Sequence, residues 1–510
     1  MSREKTFAVL SIIDSLSAVI GIFVSIALTR LLSQTNLGIY NEVLFVFSFV
    51  VPFMLLELPT AMLYFLPRYK GADRGLHIES VYIFSIISGI IFILMFFLLS
   101  PILESYGTKV GGTAILFILI SLAAPFVFVV TFFRYILIAI RELKTLLYFG
   151  IIYGLLSALP IAAFVLADGD ERRLEYLILA MVAQNIIGAT IAVWWFLRSN
   201  IRKDSLLEFS LRKPFKFIKE HWREQFKYSI YLVANLPVVL LAKDCDRFII
   251  MGFLSVNSFA IFTIGAVRIP FLSMLRSSLV NVLVPEVAKG YSQTGKVPKE
   301  SIHAWRKAIR LTALIIIPSF VFLELFSREF IIGMYTTKYA DSVVIFRAVL
   351  FLVPSYLLSY GIFLQGTGHT KPILYQSIIF IVLNLVLSLI LLKFIGLVGL
   401  AIGMVLATIV SSGYIWLEVK KVIGEEPFGV IVRNDLLRIL AESVGVVILA
   451  KLVVVFTCAK LGYPAQFLIG FAVSSGLLLI IWYFCRHDSL NEILVFVKSV
   501  LKRKIVPKIP

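Results

Sequence analysis

About fourteen stretches of this chain stay apolar for roughly 20 residues each, with only short polar joints between them. A mean hydropathy of +0.97 agrees. In hydrocarbon no water is present to satisfy backbone N–H and C=O groups, so each stretch must pair them internally, as a helix does. The expected fold is therefore all-α: a polytopic membrane protein of about 14 transmembrane helices. The predicted spans are 7–31, 38–66, 79–100, 113–137, 146–167, 174–197, 226–253, 258–284, 308–327, 343–366, 372–393, 396–418, 437–459 and 462–485. The first is too long for a removable signal peptide and lacks a small-residue cleavage site. With 60% hydrophobic and 15% charged residues, little remains for an extramembrane domain.

A net charge of +18 suggests nucleic acid until the charges are placed. Of the 48 Lys and Arg residues, 33 fall on one side of the predicted spans, seven on the other and eight within them. Basic residues stay cytoplasmic during insertion, so the excess is a topology signal, with anionic lipid as its second use. Both termini are expected inside a cell membrane, and no nucleic-acid partner is expected. Cys245, Cys458 and Cys485 all lie in or beside apolar spans and form no disulfide or metal-ligand spacing. There is no Gly-rich phosphate loop, His/Glu zinc pattern or nucleophile elbow, so no cofactor and no enzymatic activity are expected.

The chain repeats itself. TRLLSQTNLGIY (29–40) is echoed by DRFIIMGFLSVNSFAIF (246–262), which sets Arg30 opposite Arg247 at an offset of 217. Pro67 matches Pro285 at 218, and Lys144 and Tyr148 match Lys371 and Tyr375 at 227. Six spans per repeat is an even number, so both halves run the same way, with a pseudo-two-fold axis along the membrane normal. The expected organisation is an N-terminal six-helix lobe (1–197), a basic amphipathic cytoplasmic linker (198–226), a C-terminal six-helix lobe (227–418), two additional helices (437–485) and a basic cytoplasmic tail (486–510). Phe215, Ile218, Trp222 and Phe226 recur at helical spacing in the linker, which predicts a short helix lying on the membrane face.

Ionisable residues in mid-membrane are costly and face a cavity, a partner or a pathway. The densest set is Lys243, Asp244, Asp246 and Arg247 in the seventh span. Asp244 reaches Arg247 and Asp246 reaches Lys243 at a spacing of three, and such local pairing is compatible with a cavity-facing role. Arg268 and Arg276 in the eighth span have no acid between them, which favours a water-filled cavity. Their planar guanidinium groups suit phosphate or carboxylate oxygens. Arg30, Arg134 and Arg347 lie near span ends, where snorkelling accounts for them. Glu57 lies mid-span between Pro52 and Pro59, either to carry a proton or cation or to pair with an arginine of another span. Asp14 and Glu42 lie nearer the ends and are weaker candidates, and Lys451 has no local partner.

The R-x-L…G-x-Y joint at 30–40, the Asp246–Arg247 pair, FIGLVGLAIG (394–403) after the Asn384 span and REFIIGMYTTKYADSVVIFRAVL (328–350) together resemble the polysaccharide-exporter branch of the multidrug/oligosaccharidyl-lipid/polysaccharide exporter superfamily. That resemblance implies a Wzx-type repeat-unit flippase, which moves undecaprenyl-diphosphate-linked oligosaccharides from the inner to the outer leaflet. It implies two six-helix lobes around a cationic cavity that opens alternately to each side, plus an additional helix pair as in lipid II flippases. On this reading Arg247, Arg268, Arg276, Lys243 and Arg30 hold the diphosphate and sugar. Glu57, Asp244 and Asp246 couple transport to a proton or sodium gradient. The expected partners are the lipid-linked oligosaccharide, membrane lipids and polysaccharide polymerases or glycosyltransferases, with the chain itself a monomer. The rival readings are a cation-coupled multidrug antiporter of the same superfamily and a membrane polysaccharide polymerase. The first calls for an acid-rich cavity, the second for a sizeable outward loop; the intramembrane bases and short outward joints favour neither.

Overall fold

The computed structural model describes residues 19–69, 72–166, 173–198, 212–267, 269–357, 361–369 and 371–485. Among the described residues every regular element is helical and no strand occurs. Nine of the described helices are long and apolar enough to cross a membrane, and one bent pair makes a tenth. The protein is thus an all-α, multi-pass membrane protein. The first predicted span is described only from Val19, and the eighth and tenth are interrupted. The chain gathers into two compact units, Met1–Ala260 and Ile261–Pro510.

The first unit holds α1 (Val19–Leu31), α2 (Gln34–Leu55), α3 (Leu58–Phe65), α4 (Ala72–Leu103), α5 (Ala114–Ser121), α6 (Ala124–Ala139), α7 (Leu143–Leu156), α8 (Leu159–Leu166), α9 (Arg173–Arg198) and α10 (Arg212–Phe253). Three of its predicted spans break within three residues of a proline: at 56–57 before Pro59, at 122–123 before Pro125 and at 157–158 before Pro160. Proline lacks an N–H and crowds the preceding turn, so it favours a helix restart at these three places. The α5–α6 break bends its span by 40°. Packing is aromatic and close. Phe92, Phe128, Phe132 and Phe133 are fully buried, and a Cβ on Gly89 of α4 would lie 2.5 Å from the Pro125 Cα of α6.

The basic segment before the seventh span does not form a separate surface helix. From Arg212 it is one helix with the span, because neither Gly nor Pro interrupts residues 215–236.

The second unit continues α11 (Val256–Gly265) into α12 (Pro270–Thr294), again restarting at a proline. It is completed by α13 (Lys299–Leu325), α14 (Ser327–Tyr335), α15 (Ser342–Leu350), α16 (Gly361–Gly366), α17 (Lys371–Ile395), α18 (Leu397–Ile423), α19 (Gly429–Thr457) and α20 (Tyr463–Cys485). The α13 helix starts nine residues earlier than the predicted span, so Lys299, Arg306, Lys307 and Arg310 ride on it and do not sit in a joint. Its Trp305 is completely buried, with ring centroids 5.2 Å from Phe363 and 5.8 Å from Phe428. Beside it Arg306 donates from Nε to the Pro427 carbonyl (2.8 Å) and from Nη2 to the Glu426 carbonyl (2.6 Å), which fastens the α18–α19 joint to α13. The additional helices α19 and α20 pack against α13 and α14.

Small residues permit these approaches. A Cβ on Gly470 of α20 would lie 2.4 Å from the ring of Phe326, itself fully buried, whereas one on Gly476 meets nothing within 4 Å. Gly470→Ala is expected to lower stability by about 1–3 kcal/mol through overpacking, while Gly476→Ala leaves it unchanged or higher. Thermal unfolding of the two variants in detergent checks this, and equal midpoints would contradict the packing described.

Candidate functional site

The corner where α2 meets the α10–α11 turn holds Glu42 and lies beside Asp244, Asp246 and Arg247 of α10. Two serines shape it. Ser33 caps α2 by accepting from the Asn36 N–H (3.1 Å), and Ser255 accepts from the Ser258 N–H (3.3 Å) at the start of α11. Ncap serines satisfy donors that no helical carbonyl reaches. Because both serines do the same work, they define the repeat register: LSQTNLGIY (32–40) aligns with LSVNSFAIF (254–262), an offset of 222. Arg30 then falls opposite Gly252, and its expected match with Arg247 is not kept. A cap is a backbone requirement at one position, whereas an arginine near a helix end tolerates a shift of a turn.

On α10, Arg247 donates from Nη1 to the Asp244 carboxylate at 3.3 Å. The Asp244 side chain is 11% exposed and that of Arg247 37%, so the pair has one dry and one open end. The guanidinium also lies 5.8 Å from the centroid of Phe45 on α2. Asp246 is buried at 5% exposure. Arg268 and the side chains of Lys243 and Arg276 lie outside the described residues, as does Asp14. Arg30 is exposed at the end of α1.

Glu57 stands at the break between α2 and α3. Both it (φ 52) and Leu56 (φ 51) are left-handed, a conformation that residues other than glycine adopt at a cost. Its carboxylate accepts from Thr60 Oγ1 at 2.7 Å in the first turn of α3. Among the described residues it makes no ion pair, so the arginine partner left open by the sequence is not found there. Across the break Ser88 Oγ donates to the Met54 carbonyl (2.9 Å), one of those freed where the helix stops.

Two acids gain importance from the fold. Glu42, a weak candidate by position, is 1% exposed, and its Oε2 has no hydrogen-bond partner. Gly38, Glu42, Phe45 and Phe49 share one face of α2 at spacings of four, three and four. That regularity is the signal that sequence reading passed over. Glu329 explains Lys451: Nζ donates to its Oε1 at 2.6 Å and lies 4.5 Å from the Phe326 ring centroid. The two residues are 122 apart in sequence, so no local pattern announces the pair. Likewise Glu442 accepts from Arg438 Nε (2.8 Å), and Arg347 Nε donates to Ser327 Oγ (2.6 Å) where snorkelling was expected.

The family model for polysaccharide biosynthesis proteins matches residues 4–290, more than half of the chain. The chain belongs to that family. No curated protein sequence matches it. Among solved structures it is similar to a lipid II flippase MurJ in an inward closed conformation, at 17% identity and a TM-score of 0.66 over 93% of this chain and 98% of that one. It is also similar to an inward-facing multidrug resistance MATE family transporter of the MOP superfamily, at 16% identity and 0.59 over 84% and 99%. A MOP superfamily transporter from Pyrococcus furiosus, described as having a binding pocket of reverse polarity, matches at 15% identity and 0.53 over 82% and 96%. The protein shares the fold of these transporters and flippases.

The Lys451–Glu329 pair is structural on this geometry. Glu329→Leu or Lys451→Met alone is expected to cost about 1–3 kcal/mol, because each strands a largely buried polar partner. The double variant recovers much of that loss. A double-mutant cycle on unfolding midpoints measures the coupling, and simple additivity would rule out the pairing.

Proposed function

We propose that the protein is a flippase for an undecaprenyl-diphosphate-linked oligosaccharide, carrying the polysaccharide repeat unit from the inner to the outer leaflet of the cell membrane by alternating access. The observation that carries this reading is the match of residues 4–290 to the polysaccharide biosynthesis family. Coverage supports it. The lipid II flippase fold spans 93% of the chain and the multidrug transporter fold 84%, a difference close to the size of the α19–α20 pair.

The chemistry follows from the cargo. A diphosphate brought into low dielectric needs counter-charges and paired donors, which guanidinium groups supply. In this reading Arg247, Arg268, Arg276, Lys243 and Arg30 receive the diphosphate and first sugars, while the polyprenyl tail stays in lipid. The Arg247 side chain is 37% exposed, so it is accessible to a ligand. Lobes over 1–197 and 227–418 rock about the basic linker 198–226, with 437–485 beside the lipid tail, the 486–510 tail on the cytoplasmic surface and both termini cytoplasmic. Transport is coupled through Glu57, Asp244 and Asp246 to a proton or sodium gradient. The chain works as a monomer beside the polymerase or glycosyltransferases of its pathway. The multidrug-antiporter reading has in its favour the similarity to a MATE transporter. Dye efflux in place of lipid export would establish it.

Arg268→Ala and Arg276→Ala are each expected to reduce export of lipid-linked oligosaccharide by about tenfold or more, the loss of one or two charge-assisted hydrogen bonds, at unchanged protein level. Reconstituted flipping of a fluorescent lipid-linked oligosaccharide measures this, and normal flipping by both variants removes those residues from the site. In the same assay Glu57→Gln is expected to lose the dependence on an imposed ion gradient. A retained dependence excludes Glu57 from coupling.

A further inference from the structure

The repeat and the packing disagree about α10. In sequence it opens the second six-span repeat, yet it packs on α2, α3, α4 and the π-turn Glu104–Thr108 of the first. The contacts of the α10–α11 corner with α2 run along a single stripe. A Cβ on Gly38 would lie 2.2 Å from the Val256 carbonyl, Phe45 meets Phe248 and Phe259 at centroid distances of 4.9 and 5.8 Å, and Phe49 meets Phe248 at 4.6 Å. Glu42 falls between Gly38 and Phe45 on this stripe, so it faces the seam with the α10–α11 corner. An ionised carboxylate enclosed without a counter-charge costs several kcal/mol.

The same seam has a fastener. Lys109, at the end of the π-turn, donates from Nζ to the carbonyls of Gly252 (3.0 Å) and Leu254 (3.2 Å), two of the carbonyls that α10 leaves open at its C-terminus. Lys109 is exposed and lines an open groove with Glu104 and Ser105, so water reaches it. The π-turn that ends at Lys109 packs on α2 as well as on α10.

We propose that Lys109 and Glu42 form a proton-sensitive latch that closes the charge-poor end of the transporter, with Lys109 holding the end of α10 and Glu42 sealed protonated beneath it. When α10 parts from α2, water enters the seam, Glu42 gives its proton to that water, and the resulting carboxylate attracts the ammonium released from the α10 carbonyls. Closure is favoured by protonation and opening by its loss, since a ligand biases a two-state element by its differential affinity for the two states. Several other charged groups on the elements around the seam are held locally. Glu104 accepts from the Gly112 and Ala114 N–H groups (2.9 and 2.7 Å), and Arg247 is paired with Asp244, with Asp246 buried beside them. The α5 helix carries no charge, and Asp73, Arg74, His77 and Glu79 of α4 lie at its opposite end.

The proposal rests on alternating access but not on the identity of the cargo, so its test contains none. Spin labels are placed at the exposed positions by Thr35→Cys and Asn257→Cys, in full-length protein carrying Cys245→Ser, Cys458→Ser and Cys485→Ser, and the distance distribution is measured in nanodiscs. Between about pH 5 and about pH 8 the ratio of short to long separation is expected to fall by about tenfold, as an open state that binds the proton more weakly becomes populated. Glu42→Gln is expected to keep the short separation at both pH values, and Lys109→Met to show the long one at both. A pH response that survives Glu42→Gln overturns the role of Glu42. An unchanged distribution in Lys109→Met, an exposed position whose replacement does not disturb the core, overturns the latch. Either failure leaves the flippase reading standing, which depends on flipping assays alone.

Discussion

Hydrocarbon offers a backbone no hydrogen-bond partner, so wherever a helix of this protein stops or bends, a side chain must satisfy what the helix leaves open. That requirement accounts for much of the polar chemistry in a chain otherwise built of Leu, Ile, Val and Phe. Ser33 and Ser255 serve helix starts, Glu104 serves the start of α5, Ser88 serves the α2–α3 break, and Lys109 serves the end of α10. A proline marks the α2–α3 break, and each such break decides where polar groups are needed. Function in such a molecule gathers at the interruptions, because only there is a charged or hydroxyl group useful enough to be retained.

The second unit shows the same logic in contacts that hold its helices together. Lys451 and Glu329 neutralise each other, and the ring of Phe326 covers the ammonium. Toward the other end of α13 the Arg306 fork grips the 424–428 joint, and Arg310 reaches Asp435 at 3.5 Å. These contacts hold the additional helix pair to α13 and α14 along their length. An intramembrane lysine therefore does not by itself mark a pathway. Proximity to a complementary acid on a packed neighbour separates a rivet from a binding group.

Class, helix positions and the existence of a repeat were legible because hydropathy and chain direction are properties of segments. The repeat register was less so: two arginines near helix ends suggested an offset of 217, whereas the capping serines require 222. Basic residues at 299–310 looked like a joint because charge was read as leaving the membrane, yet long side chains let a helix continue past the hydrocarbon. The Glu329 partner of Lys451 lay beyond reach, since packing of α14 on α19 is a long-range fact. Glu42 was within reach. Its near-terminal position made it look solvated, while the Gly38–Phe45–Phe49 stripe on the same helix already marked that face as buried.

That stripe also bears on how such a protein seals. Glycine at position 38 brings the backbones of α2 and α11 together, and Phe45, Phe49, Phe248 and Phe259 fill the space below with edge-on and tilted ring contacts. Ring contacts of this kind are each worth about 0.5–1.5 kcal/mol beyond burial, enough to close a seam yet not enough to lock it. A titratable carboxyl within the seam and an ammonium at its rim add terms of similar size that respond to conditions outside the protein. A closure built from several small contributions can be tipped by one of them, whereas a seam of interdigitated aliphatic side chains would stay shut. The α10 helix is where this balance matters most, because it belongs to one repeat by descent and to the other by contact.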